Sequence, residues 1–105
     1  MISYTVAETD LLLASKVKVP QHIVYRSFPS ETVVLNLQTG RYHGLNATAG
    51  RMLDELKEAH TVRAAAAVLA KSYGQEQSVV ESDICDLCQV LLERGLIEAD
   101  GSVQS

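Results

Sequence analysis

A chain of 105 residues has room for one small domain with a modest core, and a hydrophobic content of 47% is too high for a disordered segment. Nine basic residues against 13 acidic ones give a net charge of −4, the wrong sign for wrapping nucleic acid, and no run of like charge exceeds two residues. The start of the chain carries no basic cluster, and the apolar residues 11–14 are too few for a signal core or a membrane span, so a cytoplasmic protein is expected.

Residues 1–19 show no clear hydrophobic period and are expected to form an N-terminal arm, with Leu11, Leu12 and Leu13 available to dock it. Pro20 opens the domain proper, expected to span residues 20–98. Residues 22–28 are β-branched and aromatic and predict a first strand, and Pro29-Ser30 a turn. In the second strand Val33, Leu35 and Leu37 share one face by period two, and Val34, Asn36 and Gln38 share the other. Thr39-Gly40 supplies a residue able to take positive φ, and residues 41–45 form a third strand.

Asn46 is a good N-cap, and Ala49, Met52, Leu53 and Leu56 behind it make one apolar helical stripe. Thr61 caps a second helix with small inward residues, Val62, Ala65, Ala66 and Leu69, and Gly74 stops it. Ser78 to Glu81 reads as a capping box for a third helix whose inner face is Val80, Ile84, Leu87, Cys88 and Leu91. Gly95 ends that helix, Leu96-Ile97 closes the core, and residues 99–105 are a polar tail. Three strands followed by three helices predict an α+β, winged-helix-like fold with a three-stranded antiparallel sheet. The third strand then lies at a sheet edge, with the last helix beside it and a groove between them.

Little in the chain suggests reaction chemistry. Cys85 and Cys88 fit a reducing compartment, and as a lone C-x-x-C they supply two of the roughly four ligands of a structural zinc site. Mid-helix, they gain little from a dipole that would lower a thiol pKa, so they read as small hydrophobes. The histidines His22, His43 and His60 have no paired spacing. Among Glu81, Asp83, Asp86 and Glu93, only Asp83 and Asp86 have neighbouring helical spacing, and no nucleophile or base converges on them. No catalytic site, metal or cofactor is expected. A winged-helix DNA-binding regulator would read DNA with the third helix, but those four carboxylates against Arg94 give it the wrong sign.

Peptide capture is the reading that remains. An edge strand offers backbone N–H and C=O groups to an extended peptide whatever its side chains are. Tyr42 and Leu45 point to opposite faces, so only one serves the core, and Gly44 lets a partner backbone approach. The bland alternative is a hairpin arm that binds nothing.

The run VLNLQTGRYHGLNATA, residues 34–49, and the run SVVESDICDLCQVLLERGLI, residues 78–97, resemble PqqD-like proteins, the recognition elements for precursors of ribosomally made, modified peptides. Gly40, Tyr42, Leu45, Asn46, Asp83 and Gly95 carry the sharper part of this resemblance. Within the family the wording around Gly40 to Asn46 is most similar to the standalone proteins of lasso-peptide biosynthesis, and next to the member serving a radical SAM enzyme in quinone cofactor synthesis. The resemblance implies non-catalytic binding of a precursor leader peptide as a fourth strand. It implies as partners a cysteine leader peptidase and an asparagine-synthetase-like cyclase. It places leader contacts at Arg41, Tyr42, His43, Gly44 and Leu45 on the strand. On the helix it places them at Asp83, Leu87, Val90 and Arg94, with the flank of Cys85, Cys88 and Leu92 as the alternative. His43 departs from the bulkier residue expected there and reads mostly as an exposed side chain.

Overall fold

The computed structural model describes residues 6–100. Its elements are α1 (Val6–Leu13), β1 (Lys16–Lys18), β2 (Ile23–Ser27), β3 (Glu31–Asn36), β4 (Tyr42–Asn46), α2 (Ala47–Glu58), α3 (Val62–Tyr73), α4 (Gln77–Glu93) and β5 (Glu98–Asp100). The predicted α+β layout is present: β2, β3 and β4 form an antiparallel sheet in that order, followed by α2, α3 and α4. Among the described residues no helix is long and apolar enough to cross a membrane.

Local chemistry builds the β3–β4 turn. The Gln38 and Thr39 N–H groups donate to Asn36 Oδ1 at 2.9 and 3.2 Å. The Gly40 N–H donates to the Asn36 carbonyl at 2.7 Å, and Gly40 takes φ 75°, a conformation glycine adopts at no steric cost. This closure sets Val34 opposite His43 and Leu35 opposite Tyr42. Strand alternation then places Thr32 and Val34 against the helices and Val33 and Leu35 on the outer face. The more apolar pair, Val33 and Leu35, therefore faces away from the core.

The helix caps follow the sequence at α2 and α3. Asn46 Oδ1 accepts from the Ala49 N–H at 2.8 Å, Thr61 Oγ1 accepts from the Ala64 N–H at 3.0 Å, and Gly74 closes α3 in the left-handed conformation. The capping box at Ser78 does not form. Helix α4 begins at Gln77 with Glu76 as N-cap and no side-chain cap bond. Gln77 is a good helix former, so the helix starts before Ser78. Glu81 instead accepts from Gln77 Nε2 at 2.9 Å and lies 3.9 Å from Arg63 Nε.

Where it is described, the chain before Pro20 is docked on the domain, through two of the three leucines expected to hold it. Leu12, Leu13 and Val17 are buried in the core, and α1 packs on α3 and α4. Strand β1 pairs antiparallel with β5, Val17 opposite Ala99, which draws residues 99 and 100 out of the expected polar tail. Lys16 Nζ donates to the Lys57 and Ala59 carbonyls at 2.9 and 2.7 Å, holding the last turn of α2, where a cation complements the helix dipole. Segments this short carry no readable period, and their place is decided by partners some eighty residues away in sequence.

Two features of the core have measurable consequences. Gly50 on α2 is buried against β3, and a Cβ there would lie 2.8 Å from Thr32 Cβ. Alanine would gain about 1 kcal/mol of helix propensity, but it forces the helix and strand apart at an overpacking cost of ~1–3 kcal/mol. Gly50→Ala should lower the urea midpoint, and an unchanged or raised midpoint would show that α2 and β3 separate freely. Cys85 and Cys88 are both buried on the inner face of α4. Burial, aided by Asp86 and Glu81, pushes the Cys85 thiol up to about 11, and burial with the neighbouring Cys85 pushes Cys88 up to about 12. Both shifts lie above the ordinary value, so the native state holds the protons more tightly than the unfolded chain and stability declines as pH rises above about 9. Thiol labelling at pH ~8 should be slow in the native protein and rapid in denaturant. Fast stoichiometric labelling of the native state would contradict this burial.

Candidate peptide-binding groove

Strand β4 pairs with β3 on one side, and among the described residues no strand occupies the other. The Asn36 N–H donates to the Arg41 carbonyl at 2.9 Å, which sets the antiparallel alternation. Arg41, His43 and Leu45 therefore turn their backbone groups to β3, while Tyr42 and Gly44 turn theirs outward. Of the three strand residues expected to pair with a peptide, Tyr42 and Gly44 present the free N–H and C=O groups, and His43 does not.

Side chains alternate in the same way. Leu45 lies in the core at 7% exposure and Tyr42 on the outer face at 70%. His43 points to the helix side and is half-buried, not simply exposed. It lines a cavity of about 700 Å³ between β4 and the C-terminal end of α4. Arg41, Tyr42, His43 and Gly44 form the strand side of this cavity, Asn36 and Thr39 its turn, and Glu93 and Arg94 its helix side.

Helix α4 splits its faces sharply. Ile84, Cys85, Cys88 and Leu91 are buried, which turns the alternative flank of Cys85 and Cys88 into the core. Asp83 and Arg94 are eleven residues apart, about three turns, so they share one side of the helix with Leu87 and Val90. On that side Asp83 and Val90 are exposed and Leu87 is half-buried against the core. Of these four, Arg94 lines the cavity, and the other three continue its stripe along the helix. Sequence periodicity missed Glu93, Asn36 and Thr39, because a turn and a helix end have no period to read.

The opposite sheet edge is less open. At β2 the outward Ile23 N–H donates to the Pro20 carbonyl at 3.0 Å, so the chain's own turn takes it. Tyr25 donates its hydroxyl to Asp54 at 2.9 Å, and Lys57 lies over its ring. Burial and that bond to Asp54 push the Tyr25 pKa up. The outer face of the sheet is apolar, with Val24, Phe28, Val33, Leu35 and Tyr42 around Arg26. Among the described residues no group of three or more His, Cys, Asp or Glu side chains is placed to hold a metal ion.

Two solved structures share this fold. One, described as TbiB1 in complex with the TbiA(beta) leader peptide, is 29% identical, with 83% of this chain and 99% of that chain covered and a TM-score of 0.71. The other, described as lasso peptide synthetase B1 complexed with the leader peptide, is 26% identical, with 79% of this chain and 98% of that chain covered and a TM-score of 0.70. No curated protein matches the chain. The family described as coenzyme PQQ synthesis protein D matches residues 31–97, the span that builds β3, β4, α2, α3 and α4. On that match this chain belongs to the PqqD family.

Proposed function

We propose that this protein binds the leader segment of a ribosomal precursor peptide and presents it to processing enzymes, making and breaking no bond itself. The observation that carries the reading is the pair of outward backbone residues, Tyr42 and Gly44, bordering the cavity against α4. A leader would add as a fourth strand beside β4, its main chain paired by those groups. Alternate side chains would turn toward α4, over Val90 and Leu87, and toward Asp83 and Arg94 farther along. Ordering a disordered leader costs ~2–5 kcal/mol, so a few buried apolar anchors and the ladder bonds must exceed that. Leu45 serves the site from behind, as the core residue that seats β4.

Both structural relatives were solved as leader complexes, and the one described as lasso peptide synthetase B1 supports a lasso-peptide setting. In that setting the served enzymes are a cysteine leader peptidase and an asparagine-synthetase-like cyclase. Holding the leader raises the local concentration of the attached core segment, commonly to the millimolar range for a short flexible tether. The apolar outer face meets the groove at Tyr42, so it offers an enzyme a surface next to a bound leader. The family description favours a second reading, a peptide chaperone for a radical SAM enzyme in quinone cofactor synthesis.

Two measurements test the proposal. A fluorescent leader from the precursor gene beside this one should titrate with a Kd between nanomolar and micromolar. A flat anisotropy curve with leaders of both pathways would end the proposal, and a response to the quinone precursor alone would select the second reading. Gly44→Pro removes an outward N–H at a position where an edge strand tolerates proline. It should weaken leader binding by about tenfold or more while leaving the thermal melt nearly unchanged. Undiminished affinity in the folded variant would mean that the leader docks elsewhere.

A further inference from the structure

We infer that the groove selects leaders carrying a carboxylate side chain, held by Arg41 and Arg94 at the end of the cavity. The inference rests on strand addition at β4 and adds the chemistry of one subsite. Two elements far apart in sequence bring these cations together: Arg41 leaves the β3–β4 turn, and Arg94 caps the C-terminus of α4. Both are exposed, and neither has an ion-pair partner among the described residues. Glu93 is the lone carboxylate on the cavity wall. Arg41 and Arg94 against Glu93 leave one excess positive charge, on a chain whose net charge is −4. One added carboxylate balances that site.

The position of the cations makes this more than a solvated pair. Arg41 directly precedes Tyr42, whose N–H and C=O face outward, and Arg94 lines the same cavity from α4, so a strand docked at Tyr42 runs along a wall that carries both. A guanidinium and a carboxylate form short, charge-assisted bonds, often two in parallel. Strand alternation adds a register rule. Side chains that enter the groove are those on the helix side of the docked strand, so the acidic residue shares its parity with the apolar anchors that reach Val90 and Leu87.

Selection from a random-peptide display library against the intact protein tests this. Binders should show an acidic column an even number of positions from an apolar one. Replacing the acid in a selected peptide by its amide should raise Kd about tenfold. The double variant Arg41→Glu with Arg94→Glu, at two exposed positions, should convert that column to Lys or Arg. Apolar enrichment with no acidic column, or an acidic column that survives in the double variant, overturns the inference and leaves strand addition standing. Failure to enrich any peptide ends both.

Discussion

The register between β3 and β4 decides which groups of this domain meet solvent. The Asn36–Gly40 turn sets it through two bonds to the Asn36 side chain and one to its carbonyl. A slip of one residue would exchange the faces of every side chain in β4. Leu45 would leave the core, Tyr42 would turn toward the helices, and the backbone of His43 would replace that of Tyr42 and Gly44 at the free edge. The site is therefore a property of the turn as much as of the strand that displays it.

Helix α4 closes the domain and walls the groove with the same seventeen residues. Its inner face, with Ile84, Cys85, Cys88 and Leu91, is fully covered. The two thiols fill space there, and their raised pKa values follow first from loss of solvent, which disfavours the thiolate. Its opposite side stays accessible, and its charge changes sign along the length, from Asp83 near the start to Arg94 at the end. A helix with this division suits a protein that recognises an extended chain by both main-chain pairing and side-chain contact.

A free sheet edge is a hazard for any soluble domain, because it invites pairing with other copies. This protein limits it at both borders by different means. At β2 the Pro20 carbonyl occupies an outward N–H and the Tyr25–Asp54 contact crowds the approach. At β4 the strand is only five residues long and begins beside Arg41. The second edge remains usable because its short length and flanking helix restrict what fits.

Much of this architecture was legible in the residues. Three strands, three helices, the caps at Asn46 and Thr61 and the glycine stops at Gly74 and Gly95 follow from local propensity and turn chemistry, which act within a few residues. So does the existence of an edge strand at Tyr42–Asn46. The leucines that dock α1 were legible, but the helices they meet and the pairing of β1 with β5 were not, since both depend on contacts distant in sequence. Periodicity divides a strand or helix into faces but does not say which neighbour each face meets. Tertiary packing decided that Val34 goes inward and Leu35 outward, that Cys85 and Cys88 are core, and that His43, Arg41 and Arg94 share one cavity, because burial is settled by the whole set of packed elements and not by any one of them.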